Sequence, residues 1–555
     1  MDRMWLKHYP PGVPAEVDYS QYRSLGELFE RNTAKYRDRP AYTNMGRTIS
    51  FGELERLSQA SGAWLQGKGL ARGARVAVMM PNCLQYPVCV FGILRAGYVV
   101  VNVNPLYTAR ELEHQLKDSG SEAIVILENF AHVLGQVIAR TPVKHVVIAS
   151  LGDLLGAKGA IVNFVVRRVK KLVPRWEIPD TIRFNAMIRE GERLDLKRVA
   201  VGHDDIAFLQ YTGGTTGVSK GAVLLHRNIL ANLEQAAAWL RPFVDEDEPQ
   251  AIVTALPLYH ILSLTANCLL MMKAGGCNIL ITNPRDIPGF VKELRKHKFT
   301  MFTGVNTLFN ALMNHPGFAK IDFSGLKVAL GGGMPVQKAV ADRWKKMTGC
   351  TLIEAYGLSE TSPAVTINPL DLKDYNGSIG LPISSTEVVL RGDDGKDAPS
   401  GSPGEIWVRG PQVMKGYWNS PAETARVLGP DGFLATGDIG EMDEKGYVRI
   451  VDRKKDMLLV SGFNVYPNEI EAVVAMLPGV LECAVIGVPD EHSGEVPKLF
   501  VVKRDASLTE ADIRAHCEAN LTGYKRPKYI EFRKELPKTN VGKILRRALR
   551  EEAKT

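Results

Sequence analysis

Tyr211-Thr-Gly-Gly-Thr-Thr-Gly-Val-Ser-Lys-Gly-Ala222 is the stretch on which the reading of this 555-residue chain turns. One apolar run, Ile206–Leu209, leads into it and another, Ala222–Leu225, leads out. Four glycines (Gly213, Gly214, Gly217, Gly221) let backbone N–H groups come close to an anion. Thr212, Thr215, Thr216 and Ser219 add hydroxyl donors, Lys220 adds a mobile positive charge, and Tyr211, Val218 and Ala222 complete the segment. The composition describes a phosphate-holding loop. It is not a Walker A loop, which needs Gly-Lys followed by Ser or Thr at a helix start; here Ser219 precedes Lys220 and Gly221 follows it. A flexible surface turn is the plainer alternative, but it does not call for so many hydroxyls and a lysine together.

Outward from the loop, short β-branched runs alternate with helix-period stretches over the first 360 or so residues. The runs include 76–80, 98–103, 123–127, 145–149, 252–256, 277–281 and 326–330; the helical stretches include 50–68, 108–119, 227–240, 290–297 and 336–347. Such alternation predicts an α/β fold with parallel sheets covered by helices, and ligands beyond the carboxyl ends of the strands. From 386 to 451 short strands separated by turns predict a β-rich subdomain, and 454–555 reads as a small α+β domain. The expected division is a large domain 1–453 and a small mobile domain 454–555.

Composition narrows the function classes. Hydrophobic residues are 45% and charged residues 23% of the chain, an ordinary globular balance. No apolar run reaches the ~18–20 residues of a membrane span, and Met1–Val13 lacks the apolar core of a signal peptide. Seven scattered cysteines form no CxxC pair, which fits a reducing, cytoplasmic setting and argues against structural zinc. A net charge of +8 suits polyanionic substrates or an anionic membrane; the basic residues are dispersed, so nucleic acid is not an expected partner. One segment is asymmetric: the apolar stretch 160–166 is followed by Arg167, Arg168, Lys170, Lys171, Arg175 and Trp176. It reads either as a peripheral membrane-surface element or as an amphipathic helix packed on its own domain.

Four further motifs follow the loop in order: Tyr356-Gly-Leu-Ser-Glu360-Thr, Thr436-Gly-Asp438, Asp452-Arg-Lys-Lys-Asp456 and Pro537-Lys-Thr-Asn-Val-Gly-Lys543. With the loop they resemble the adenylate-forming superfamily of acyl-CoA synthetases, luciferases and peptide-synthetase adenylation domains, over about 25–547. The stretches Leu256-Pro-Leu-Tyr-His260 and Val460-Ser-Gly-Phe-Asn-Val-Tyr-Pro-Asn-Glu-Ile-Glu471 are most similar to bacterial long-chain fatty acyl-CoA synthetases.

The resemblance implies a two-step ligase. A long-chain fatty carboxylate attacks the α-phosphorus of ATP, giving acyl-adenylate and pyrophosphate; coenzyme A then takes the acyl group and AMP leaves. It implies that Lys220 and the loop hold the β- and γ-phosphates, that Glu360 helps hold Mg²⁺, and that Tyr356 stacks on adenine. Glu354, Ala355, Gly357 and Ser359 belong to the same nucleotide-binding set. Asp438 and Arg453 are implied ribose contacts. Lys543 is the implied catalytic lysine of the first step, and His260 lies beside the acyl-adenylate, as substrate contact or packing. The resemblance also places a hinge at Lys454, Lys455 and Asp456, and Gly462 beside the pantetheine channel. Where some members carry a tryptophan gate this chain has Ile261-Leu-Ser-Leu264, which offers no aromatic gate on that pattern and leaves the gating residue open, Leu264 or another. Rival readings are an aryl-CoA ligase, a fatty acyl-AMP ligase that stops at the adenylate, and a non-catalytic binding protein at a membrane. A homodimer is compatible with the sequence, and no motif specifies it.

Overall fold

The computed structural model describes residues 3–212, 219–245, 247–392, 394–399, 401–461, 463–490, 492–539 and 542–553. Among these residues the chain forms four sheets. The first has seven strands. Its parallel part runs Thr181–Arg183, His145–Ala149, Ala123–Leu127, Arg75–Met79, Val99–Asn102 and Ile206–Thr212, and Lys220–Leu225 is added antiparallel at the edge. The second has nine strands. Parallel Cys277–Leu280, Ala251–Thr254, Met301–Gly304, Val328–Gly332 and Leu352–Gly357 form its centre, with antiparallel pairs at the two ends. The α/β architecture with parallel, helix-covered sheets expected from the alternation is therefore present, as two such sheets.

The strands form where β-branched residues run uninterrupted and are buried on both faces: every residue of Val99–Asn102 and Ala123–Leu127 is buried. The helices between the sheets are apolar on nearly every side, as Gln85–Arg95 shows, with Val88, Phe91, Ile93 and Leu94 all buried. One continuous core joins Val76, Val78 and Val100 of the first sheet to Ile252, Leu280 and Met301 of the second. Burying each such side chain contributes roughly 1.5–3 kcal/mol, so the relative position of the two sheets is fixed.

A four-stranded antiparallel sheet (Glu387–Arg391, Gly404–Arg409, Leu434–Met442, Val448–Arg453) follows. After it, Leu458–Val460 enters a separate five-stranded sheet built on the hairpin Val480–Asp490 and Gly494–Lys503. Period-2 alternation divides that hairpin cleanly. Val485, Leu499 and Val501 pack under the helices Pro467–Val474 and Glu510–Asn520, while Ala484, Ile486, Phe500 and Val502 face Leu549 of the last helix, Arg546–Glu552.

The segment 158–169 is a helix, Lys158–Phe164, extended by a wider turn, Val165–Val169. Val166 is buried, but Ile161, Phe164 and Val169 are 66%, 60% and 65% exposed. The helix packs on its own domain through Val162 and Val166 and leaves these three apolar side chains open. Among the described residues no helix is long and apolar enough to cross a membrane.

Candidate active site

The phosphate loop leaves Thr212 at the carboxyl end of a buried strand and returns at Ser219; Gly213–Val218 lie outside the described residues. Its two ends are held firmly. The Tyr211 hydroxyl donates to Asp118 Oδ2 at 2.5 Å, and burial together with that carboxylate keeps the phenol protonated. Gly221 sits against the Tyr211 ring, where a Cβ would stand 3.0–3.1 Å from two ring carbons, so a side chain there would press on the ring. The outgoing strand is then clasped by the segment Gly416–Trp418: Val223 N–H donates to the Gly416 carbonyl at 2.9 Å and Trp418 N–H to the Gly221 carbonyl at 2.8 Å.

That clasp brings in Tyr417, which sequence reasoning missed. Its hydroxyl donates to Glu360 Oε1 at 2.8 Å, and its ring lies 5.5 Å from the Lys220 ammonium. Lys220 is ion-paired with Glu423 on the short helix Pro421–Val427, and the pairing holds the Glu423 carboxyl below its usual range. The available signal was the run Gly416-Tyr-Trp418, which reads only as a turn with aromatics.

Opposite the loop, Tyr356 ends the strand Leu352–Gly357 and donates its hydroxyl to Asp438 Oδ2 at 2.7 Å. The other Asp438 oxygen lies 3.2 Å from Arg453 Nε. Two antiparallel neighbours, Leu434–Met442 and Val448–Arg453, set Asp438 directly across from Arg453. Glu354 is buried, accepts the Val336 N–H at 2.8 Å and has its carboxyl pushed up to about 7 by burial. It thereby braces the turn Gly333–Val336, a second wall of the site that the sequence reading did not single out.

Lys543 arrives from the small C-terminal unit on a tight turn. Lys538 and Ile544 pair across its base, and Lys543 N–H donates to Thr539 Oγ1 at 3.0 Å. A Cβ on Gly333 would lie 3.7 Å from Lys543 Nζ, which places the ammonium at the turn Gly333–Val336. Among the described residues no carboxylate is in ion-pairing contact with it. Burial, reinforced by the nearby Arg453 charge, pulls its pKa down to about 8, while Asp438 and Glu360 oppose the shift. His260 is also desolvated and feels the Lys543 charge, which lowers its pKa to about 3; the ring is neutral at physiological pH. Its Nδ1 accepts the Leu262 N–H at 3.4 Å.

One cavity of about 1830 Å³ unites these groups. Tyr211, Thr212, Lys220, Glu354, Ala355, Tyr356, Gly357, Ser359, Glu360, Asp438, Arg453, Lys455, His260 and Lys543 line it. Ser219, Gly221 and Ala222 support the loop without lining the cavity, and Gly462 lies outside the described residues. The cavity is also lined by apolar residues, Leu262, Ala266, Leu270, Ile252, Met301 and Trp239. Leu264 is fully buried and does not line the cavity, whereas Ile261 and Leu262 do. The helical spacing turns 264 into the packed core and 262 toward the cavity. Among the described residues no group of three or more His, Cys, Asp or Glu side chains could hold a metal on its own.

The AMP-binding enzyme family matches residues 29–418, and the AMP-binding enzyme C-terminal domain matches residues 469–543. A long-chain-fatty-acid–CoA ligase of Yersinia pestis is 60% identical over 554 residues, covering 100% of this chain and 98% of that protein. An anthranilate–CoA ligase solved with anthranoyl-AMP superposes with a TM-score of 0.85 at 25% identity, over 97% of this chain and 99% of that one. ATP-bound MatB from Rhodopseudomonas palustris superposes with a TM-score of 0.80 at 30% identity, over 95% and 99%. The chain, with both of its matched segments meeting around one cavity, belongs to the AMP-binding enzyme family.

Proposed function

We propose that this protein is a long-chain fatty acid–CoA ligase that forms an acyl-adenylate from fatty acid and ATP and then transfers the acyl group to coenzyme A. The observation that carries the reading is the convergence of Lys220, Glu360, Asp438 and Lys543 on one cavity that also has apolar lining residues, among which an acyl arm would run. Near-full-length similarity, at 54–60% identity, to ligases named for that substrate supports it.

In the first step a carboxylate must approach a polyanion, so positioning and charge stabilisation carry the catalysis. Lys220 and the loop hold the terminal phosphates. The Asp438 carboxylate accepts from the ribose hydroxyls, exchanging its contact with Tyr356 for them, and Tyr356 offers its ring to adenine. The Lys543 ammonium reaches the carboxylate and the α-phosphate as charge builds between them. The neutral His260 ring packs at the mouth of the acyl arm. A magnesium ion fits the donor set: it is commonly held by one or two carboxylates plus substrate phosphates, and Glu360 supplies such a carboxylate, with the ion neutralising phosphate charge when bound.

The second step needs the small domain, 454–555, to turn about Lys454–Asp456. Leu459 and Phe463, on the two strands either side of Gly462, are 52% and 55% exposed, with one face of the Phe463 ring stacked on Tyr524 at 4.7 Å. The deciding experiment is pyrophosphate release with a ladder of carboxylic acids, with and without coenzyme A. Reaction with C12–C18 acids and thiol-dependent turnover is the expected result; reaction confined to aromatic acids sinks the fatty-acid assignment.

The segment 158–172 favours peripheral attachment to an anionic bilayer, the source of the substrate. Exposed Ile161, Phe164, Val169 and Leu172 stand beside exposed Arg168, Lys170 and Lys171, while Arg167 is engaged with Glu128 at 2.9 Å. Co-sedimentation with phosphatidylglycerol vesicles should fall for Ile161→Glu/Phe164→Glu; unchanged binding removes this surface from consideration.

A further inference from the structure

The helix Asn306–Met313 of the large domain touches both sides of the cleft. At its start, Asn306 Oδ1 accepts the Gln337 N–H at 3.0 Å, at the end of the turn that begins with Gly333. One residue on, Thr307 Oγ1 donates to the Gly542 carbonyl at 3.1 Å. Three residues further along the same face, Asn310 Nδ2 donates to the Leu481 carbonyl at 3.1 Å. Gly542 immediately precedes Lys543. Leu481 lies in the strand Val480–Asp490, whose neighbouring Glu482 holds Lys538 at 2.5 Å at the base of the Lys543 turn. Two side chains on one helix face therefore grip one unit of the small domain at two backbone oxygens.

The fit at Gly542 is close. Its φ of +84° lies in the left-handed region, and a Cβ there would stand 2.9 Å from Thr307 Oγ1. A side chain at 542 would thus separate the two domains at the point where Lys543 enters the cavity. The contacts join residues on opposite sides of the Lys454–Asp456 segment, so they exist only while the small domain sits as it does here.

We propose that Thr307 and Asn310 are positioning residues for adenylate formation: they latch the small domain in the pose that seats Lys543 and take no part in thioester formation. This rests on the reading of Lys543 as the lysine of the first step. Losing one neutral hydrogen bond shifts an equilibrium roughly two- to tenfold, and the two bonds act on the same pose.

The test compares Thr307→Val, Thr307→Ser, Asn310→Ala, the double variant Thr307→Val/Asn310→Ala, and Lys543→Ala in full-length protein. Two half-reactions are followed separately. One is single-turnover formation of palmitoyl-adenylate from palmitate and ATP without thiol; the other is conversion of supplied palmitoyl-adenylate with coenzyme A. The expected result is adenylate formation slowed about three- to tenfold in each single loss variant and further in the double variant. Thioester formation is kept or accelerated, and Thr307→Ser is close to the parent protein. Equal loss in both half-reactions, or no loss in a setting where Lys543→Ala abolishes the first, overturns the latch while leaving the Lys543 reading intact. If Lys543→Ala itself spares adenylate formation, the reading beneath the latch falls and the latch with it. Thermal melting of each variant guards the comparison, and Thr307→Ser, which keeps the hydroxyl, separates a lost contact from a damaged fold.

Discussion

Two lysines face the same cavity and are held in opposite ways. Lys220 stands on the outgoing strand of the glycine-rich loop, with its charge matched by Glu423 and its ammonium 5.5 Å from the Tyr417 ring. Lys543 stands on a turn of the small domain, desolvated, without an ion pair among the described residues, and its proton is correspondingly loose. The difference separates two tasks. A residue that only binds phosphate can rest on a carboxylate until the nucleotide displaces it. A residue that must answer charge developing in a transition state is better left unmatched beforehand, because a standing partner would compete with that charge. The cost of keeping Lys543 unpaired shows as its lowered pKa.

Four experiments bear on this contrast, in order of decreasing effect. Lys543→Ala should reduce adenylate formation by roughly 10²–10³-fold, the range for loss of one preorganised charge-stabilising group, and leave thioester formation from supplied adenylate nearly intact. Comparable damage to both half-reactions would erase the distinction between the lysines. Asp438→Ala should come next. It removes a carboxylate that holds Tyr356 and Arg453, and charge-assisted hydrogen bonds contribute about 1.5–3 kcal/mol each, so the KM for ATP should rise by about one to two orders of magnitude, with little change in the KM for coenzyme A.

The third experiment is a pH profile. Lys543 is charged below its lowered pKa of about 8 and neutral above it, so kcat/KM for ATP in pyrophosphate release should fall by about tenfold per pH unit above that value. With ATP bound, the phosphates favour the ammonium, and the limb in kcat should move to higher pH. Lys543→Arg, charged throughout, should lose the limb even where its rate is poor; a limb that persists in that variant assigns the titration elsewhere. The smallest effect is expected of Glu423→Gln. Removing a partly exposed partner of Lys220 should lower the KM for ATP by roughly two- to fivefold, in keeping with the modest strength of such pairs, and should leave the half-reaction balance unchanged.

The sequence was most informative where chemistry demands particular residue types in a short span. The loop 211–222 is recognisable by its glycines and hydroxyls, and strand-helix alternation is recognisable because burial on two faces forces unbroken β-branched runs. Which residue could gate the cavity was left open by the sequence for the complementary reason. A run of four residues, Ile261-Leu-Ser-Leu264, does not reveal which side of a helical turn faces a cavity, and the packing turned Leu262 rather than Leu264 inward. The segment 158–169 was ambiguous by sequence because an amphipathic stretch does not name what covers it; only the exposure of Ile161, Phe164 and Val169 resolves that its apolar side is open. Tyr417, Glu423, Thr307 and Asn310 carry ordinary residue types in ordinary turns and helices, and nothing local sets them apart.

The sequence alone therefore determined the alternating α/β class and, through five motifs in order, the family and the kind of reaction to expect, since each of these is written in contiguous residues. Tertiary structure decided which lysine is ion-paired and which is left desolvated, which turn Glu354 braces, and which carbonyls Thr307 and Asn310 meet. Those outcomes depend on charges, carbonyls and ring faces brought together from segments more than 200 residues apart, as with Lys220 and Glu423 or Thr307 and Gly542. Electrostatic and hydrogen-bonding energies are set by distance and burial in space, and spacing along the chain encodes neither.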